Sequence, residues 1–300
     1  MTRVRRLPRL PRLTAFVAAA ALLAGCTSSG SGAEPVPVPD EPAFTSYVAL
    51  GDSFTAGPLV PTTALADGCL RSDGNYPALL AERLDIARVT DVSCSGATTA
   101  DLTGRQQTVG SATVRPQLDA LRRGTDLVTL GIGGNDFALF STLVQTCSRL
   151  RPVDPQGSPC AEQLRAQGVD LVARTGDIAD RVVAALRRIE ARAPEAEVLV
   201  VGYPRLTPET GTCPRRLPFA EGDYAWGDRL TRALNDALAD AADRAGVGFV
   251  DMYAASEGHD ICAEDPWVNG RRTNRAAALA YHPFAVGMEA VADEVADTLS

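Results

Sequence analysis

Three residue types, far apart in the chain, have the makings of nucleophilic acyl chemistry. Ser53 stands in Gly51-Asp52-Ser53-Phe54-Thr55-Ala56-Gly57, directly after the apolar stretch Ser46-Tyr47-Val48-Ala49-Leu50. A serine hydroxyl is a weak nucleophile and needs a base, a group to orient that base, and donors for the oxyanion that forms. The chain holds only two histidines. His282 lies in Ala280-Tyr281-His282-Pro283-Phe284, just before an apolar C-terminal segment, and is the candidate base. His259, in Glu257-Gly258-His259-Asp260, is the rival. Candidate oxyanion donors come from Cys94-Ser95-Gly96-Ala97 and from Gly133-Gly134-Asn135-Asp136, through the Gly96 backbone and the Asn135 amide. Taken alone, a Gly-Asp-Ser turn is equally a helix N-cap, for which Asp, Ser and Thr are all suited. It is not the Gly-x-Ser-x-Gly elbow, because Thr55 occupies the second Gly position. The glycines at 131–134 do not make Gly-x-Gly-x-x-Gly, since position 136 is Asp.

Other chemistries are disfavoured by composition. All 29 basic residues are arginine, so a Ser-Lys dyad, a lysine Schiff base and a phosphate-binding P-loop lysine are absent. No Cys-x-x-Cys occurs, which argues against a zinc or redox motif. No metal or organic cofactor is expected.

Those residues must be carried by an alternating α/β chain. Strands are expected at Ser46–Leu50, Arg88–Ser93, Asp126–Gly131, Val198–Tyr203 and Gly248–Asp251. Helices are expected at Tyr76–Leu84, Val114–Arg122, Val172–Ala191, Asp223–Ala245 and Arg275–Leu299. In the third of these helices Ile178, Val182, Ala185, Leu186 and Ile189 share one face, as the helical period requires. Alternation implies a parallel sheet clothed on both sides, and five strands fit the flavodoxin-like order 2-1-3-4-5. In that order Ser53, Gly96 and Asn135 follow neighbouring strands at the carboxyl edge, where such sheets place ligands.

The ends of the chain read differently. Residues 1–25 carry Arg3, Arg5, Arg6, Arg9 and Arg12, no acid, and an apolar run from Leu13 to Leu23. This run is too short to span a bilayer and reads as an export signal. Leu23-Ala24-Gly25-Cys26 resembles the lipobox of bacterial lipoproteins, which implies lipidation of Cys26, membrane attachment through it and a cell-surface or secreted location. Residues 26–43, rich in Ser, Gly and Pro, read as a tether. Residues 44–300 are expected to form one ordinary α/β domain by length. Removing the five leader arginines takes the formal net charge from −8 to about −13, which argues against nucleic acid and against electrostatic docking on anionic lipid.

Seven cysteines less Cys26 leave Cys69, Cys94, Cys147, Cys160, Cys213 and Cys262. An even count in an exported chain suggests disulfides. Cys69 and Cys94 lie in loops after the first two strands, Cys147 and Cys160 share a Pro-rich segment, and Cys213 and Cys262 follow the last two strands. Sequential pairing is therefore the most economical. Each bridge is expected to contribute about 3–4 kcal/mol in the chain-entropy picture.

Gly51-Asp52-Ser53, Gly96, Gly134-Asn135-Asp136 and His282-Pro283, in this order, resemble the motif blocks of the SGNH (GDSL) hydrolases. The six cysteines and Gly258-His259-Asp260 are similar to its secreted actinobacterial lipase and esterase branch. The resemblance spans about residues 44–300. It implies a three-layer α/β fold, Ser53 as nucleophile, His282 as base, and an oxyanion hole from the Ser53 and Gly96 amides and the Asn135 side chain. In one respect the chain departs from the pattern: most of the family has Asp three residues before the histidine, and here that position is Leu279. The resemblance then implies orientation of His282 by the Leu279 main-chain carbonyl, with Asp260 or Asp265 as carboxylate alternatives. The expected activity is hydrolysis of carboxylic esters of lipid type by a monomer, with carbohydrate acetyl esters as the second reading and a catalytically inactive surface binding protein as the third. The 137–170 and 204–222 loops are expected to frame the groove, with Phe54, Leu59, Phe137, Phe140 and Tyr203 as candidates to line it.

Overall fold

The computed structural model describes residues 43–300, so the leader, Cys26 and nearly all of the tether lie outside the described residues. Five strands form one parallel sheet: β1 (Ser46–Gly51), β2 (Arg88–Asp91), β3 (Leu127–Gly131), β4 (Glu197–Val201) and β5 (Gly248–Val250). Their spatial order is 2-1-3-4-5. The helices that matter here are α1 (Ser53–Ala56), α2 (Tyr76–Arg83), α3 (Pro159–Ala166), α4 (Leu171–Arg192), α5 (Glu221–Ala245) and α6 (Ala285–Leu299).

The period-2 alternation of side chains splits the core in two. Val48, Leu50, Val128, Leu130, Val198 and Val200 face α4 and α5, whose apolar stripes include Ile178, Val182, Leu230 and Leu234. Tyr47, Ala49, Leu127, Leu199 and Val201 face α2 and α6, where Leu80, Met288, Val291 and Val295 close the second core. On that face the buried Thr129 hydroxyl meets the Tyr47 hydroxyl at 2.6 Å and accepts a hydrogen bond from the Tyr76 hydroxyl. The central strands are thus buried on both sides, as a parallel sheet demands.

Three disulfides join Cys69 to Cys94, Cys147 to Cys160 and Cys213 to Cys262, the sequential pairing. The second fastens α3 to the wall of the groove. Ser158 at the start of α3 makes no side-chain cap; instead Asp223 of α5, fully buried, accepts from the Cys160 and Ala161 N–H groups. Carboxylate at a helix start satisfies donors that have no partner within the helix.

Two expected helices are corrected. Val114–Arg122 is not an α-helix: Thr113–Val114 pairs with Gln106–Gln107 in a small antiparallel hairpin, and Gln117–Ala120 is one 3₁₀ turn. Pro116 cannot donate to a helical ladder, and the Gln117 side chain has a different task, described below. The C-terminal helix begins at Ala285 rather than Arg275, because residues 275–284 form the irregular loop that carries His282. Conversely, the 137–170 segment is not simply a loop but holds short helical turns, the π-helical Thr142–Cys147 and α3.

Candidate active site

Ser53 opens α1 immediately beyond β1. Asp52 caps this single turn by accepting from the Phe54 N–H at 2.8 Å, and Gly57 ends it in the left-handed region at φ +62°. A side chain at Gly57 would meet Met288, Asn75 and Ser72, so glycine is required there by both conformation and space. The end of β1 is fixed from the side as well. Beyond the last residue of β2, the buried Gln117 amide imitates a strand, accepting from the Gly51 N–H at 2.8 Å and donating to the Gly51 carbonyl at 2.9 Å. Nothing in the spacing of Gln117 signalled this role.

As the first residue of a helix, Ser53 presents an N–H without an intrahelical partner. The Gly96 N–H also has no hydrogen-bond partner among the described residues, and Gly96 is exposed with φ +81°. The Asn135 amide donates one hydrogen to the Ala97 carbonyl at 3.0 Å, which leaves the other for a ligand. Asp136, wholly buried, ties the two donor loops together: it accepts from the Thr99 N–H at 2.9 Å, the Thr99 hydroxyl at 2.6 Å and Arg181 at 2.8 Å. Arg181 in turn lies 4.2 Å over the Phe137 ring. Phe137 and Ala138 have positive φ, an unfavourable conformation for residues with side chains. Strain of this kind is characteristic of functional loops.

Beneath Ser53 lies a second connection that the sequence analysis missed. The Tyr203 hydroxyl accepts from the Gly134 N–H at 2.9 Å and donates to Asp52 at 2.5 Å. Tyr203 is buried, and its ring packs edge-on against Phe54 and Phe140. Burial raises the Asp52 carboxyl to about 7, against the opposing hydrogen bonds from Tyr203 and Phe54. Tyr203 was a candidate to line the groove; it instead supports the floor. Asp52 and Tyr203 are 151 positions apart, and only the fold could pair them.

His282 is half-buried, with its Nδ1 2.7 Å from the Ala280 carbonyl. This corrects the expectation for Leu279. The Leu279 carbonyl accepts from the His282 N–H and from Asn269, and is not the ring's partner. Asn269 was also missed. Its amide donates to the Arg272, Ala278 and Leu279 carbonyls, and its N–H to the His282 carbonyl, so one buried side chain gathers the whole histidine loop. Tyr281 has φ +62°, a tight bend that aims the next residue. Neither alternative carboxylate bonds the ring: Asp260 accepts from the Cys262 N–H, and Asp265 offers only its carbonyl, to His259. His259 stacks on Trp267 at 4.5 Å and does not line the cavity. Burial holds the His282 imidazole below its usual value of 6.5, with the Ala280 bond opposing.

Ser53, Asn135 and His282 share a cavity of about 280 Å³ walled by Phe54, Phe140, Val144 and Leu206. The 137–170 and 204–222 segments both contribute, through Phe140, Val144 and Leu206. Of the expected lining residues Phe54 and Phe140 take part, while Leu59 and Phe137 do not. Val144 stands in the π-helical turn, a feature often found at functional sites. Apolar walls with a few convergent polar groups suit a ligand with an acyl chain beside a polar reacting centre.

Likenesses to known proteins point the same way. The GDSL-like Lipase/Acylhydrolase family matches residues 49–290. Lipase 2 of Streptomyces coelicolor is 39% identical over 297 residues, 95% of this chain and 96% of that protein. Two solved structures share the fold with a TM-score of 0.70. Phospholipase A1 of Streptomyces albidoflavus is 29% identical, covering 85% of this chain and 100% of that one. The extracellular lipase of Streptomyces rimosus is 28% identical, covering 85% and 99%.

Proposed function

The chain belongs to the GDSL-like lipase and acylhydrolase family, and we propose that it hydrolyses carboxylic esters with Ser53 as nucleophile and His282 as general base. The observation that carries this reading is the meeting of Ser53, Asn135 and His282 in one apolar-walled cavity. The Ser53 hydroxyl attacks the ester carbonyl while His282 Nε2 takes its proton. The Ala280 carbonyl accepts a hydrogen bond from the Nδ1–H, which keeps the ring proton on Nδ1 and leaves Nε2 unprotonated and basic. The Ser53 and Gly96 N–H groups and the Asn135 amide hold the oxyanion; in such holes one donor is worth about 2.7–4 kcal/mol. Collapse of the tetrahedral intermediate expels the alcohol, protonated by His282, and leaves an acyl-Ser53. Water, activated by the same histidine, then frees the acid. No hydrogen bond joins Ser53 to His282 among the described residues, and catalytic bonds of this kind often tighten only in the complex with substrate.

The walls formed by Phe54, Phe140, Val144 and Leu206 favour an acyl chain over a small polar acid, which supports lipid-type esters. Export by the leader and lipidation at Cys26 complete the proposal; the Leu23-Ala24-Gly25-Cys26 sequence supports them. A panel of esters of increasing acyl length, run against Ser53→Ala, tests the reading. Turnover should rise beyond acetyl and fall at least about 10³-fold in the variant. Acetyl-only turnover would favour the carbohydrate ester reading, and no turnover at all would leave a binding protein.

A further inference from the structure

On the far side of the histidine loop four arginines line a second, smaller cavity, and we propose that it is a binding site for a phosphate-type oxyanion. The cavity measures about 190 Å³; Arg215, Arg216, Arg271 and Arg272 surround it, over an apolar floor that includes Ile261, Val268 and Phe284. The two arginine pairs come from segments 55 residues apart and are packed together by design of the backbone. The Arg271 N–H donates to the Arg216 carbonyl at 2.8 Å, and a side chain at Gly270 would collide with that same carbonyl. Arg216 is further aimed by its bonds to the Ile261 and Ala263 carbonyls, next to the Cys213–Cys262 bridge.

Four like charges around one small cavity repel one another, and an internal counter-ion would relieve this. The sequence has 37 acidic residues, yet none forms an ion pair with any of the four among the described residues. Many other arginines of the described residues also form no ion pair; what sets these four apart is that two pairs line one cavity whose wall carries no carboxylate. A planar guanidinium grips oxygens in pairs. A carboxylate presents its two oxygens in one plane, whereas a tetrahedral phosphate turns oxygens in several directions and can engage several guanidiniums together. The cavity has room beyond the ion itself, so an ester substituent fits over the apolar floor.

The position gives the site a link to the catalytic cavity. The Tyr281 N–H donates to the Gly270 carbonyl, and Tyr281 lines the catalytic cavity beside His282. Burial pushes the Tyr281 phenol up, and the Arg271 charge is among the groups that oppose this. A phosphate held at Arg271 therefore sits one residue layer behind the histidine loop. The phosphate chemistry has two sources, a free phosphate or monoester and the phosphodiester of a lipid headgroup.

Titration calorimetry on the mature chain at about 10 mM ionic strength, with inorganic phosphate, glycerol phosphate and glycerophosphocholine as probes, decides the matter. Binding to at least one probe should weaken about tenfold or more in Arg271→Gln/Arg272→Gln and in Arg215→Gln/Arg216→Gln, since each double variant removes two charge-assisted contacts. Raising the salt to about 0.15 M shortens the screening length from about 30 to about 8 Å and should weaken it further. The exposed pair Arg187→Gln/Arg188→Gln on α4 removes the same charge elsewhere and should leave binding unchanged. Preference for the first two probes identifies a free phosphate or monoester, and preference for the diester identifies a headgroup. Absence of binding to all three, or equal loss in the α4 control, overturns the proposal. Because the readout is binding, it is independent of whether Ser53 turns over esters; circular dichroism checks that the variants are folded.

Discussion

Tyr203→Phe removes a single oxygen and tests whether the buried bridge beneath Ser53 sets the catalytic geometry or only holds the protein together. In the wild type that oxygen joins the Ser53 turn, through Asp52, to the Asn135 loop, through Gly134. The phenyl ring keeps its packing on Phe54 and Phe140, so the acyl wall survives. What is lost is a partner for two buried groups, the Gly134 N–H and one Asp52 oxygen. An unsatisfied buried group costs roughly 1–3 kcal/mol, so the loss of a partner for two of them should lower stability by about 2–6 kcal/mol in total. If the bridge also fixes the distance between Ser53 and Asn135, kcat should fall about 10- to 100-fold with KM within about twofold, because the donors act on the transition state more than on the bound ester. The assay is steady-state ester hydrolysis at a temperature well below the variant's own melting point. A lowered Tm with kcat unchanged would refute the positioning role and leave a structural one. Asp52→Asn supplies the second arm. It keeps an acceptor for the Phe54 N–H but changes the partner of Tyr203, so its effect on kcat and that of Tyr203→Phe should be less than additive in the double variant.

Four further outcomes are expected. Protonated His282 cannot accept the Ser53 proton, so kcat/KM should fall on acidification with a midpoint below the ordinary histidine value of 6.5, following the lowering by burial; a midpoint well above this would contradict the reading. Asp52 is raised in the folded state to about 7 from 3.8, so the native protein binds the extra proton between these limits, and this group's contribution to stability is lost as pH rises toward 7; chemical denaturation at a series of pH values should show that slope reduced in Asp52→Asn. Asp260→Asn and Asp265→Asn should each cost under about tenfold in turnover, against about 10⁴-fold for a true triad acid, while His282→Ala should approach Ser53→Ala. Radioactive fatty acid should label the cells' protein at Cys26, and Cys26→Ser should abolish the label.

The parts of this molecule that the sequence made legible are those governed by local pattern. Short apolar runs such as Val48-Ala49-Leu50 and Val198-Leu199-Val200 are buried on both faces, so they stand out against polar surroundings, and the alternation with long amphipathic helices such as α4 leaves a parallel sheet as the natural arrangement. Adjacent strand ends then set Ser53, Gly96 and Asn135 along one edge of the sheet without further information. The sequential disulfides follow from the same neighbourhoods. Reading failed where a side chain took over a backbone role. Val114, Leu118 and Leu121 have helical spacing, yet Gln117 is drawn to Gly51, and its two hydrogen bonds there end any helix. Alanines at 276–278 favour a helix, yet Asn269 captures three carbonyls of that stretch and its surroundings and holds them as a loop. Each capture exchanges regular structure for the placement of a residue of the cavity, the first for the end of β1 beneath Ser53 and the second for His282. The same trade explains why Ala280 rather than Leu279 meets the imidazole. Once Tyr281 bends at positive φ, the ring of His282 folds back over the carbonyl two residues before it, a distance set by the bend and not by the spacing at which the family's acid stands. An acid at 279 would have reached the ring through its side chain; with leucine there, the nearest acceptor is the main chain that the bend itself exposes, and the charge that a carboxylate would supply to the imidazolium is absent.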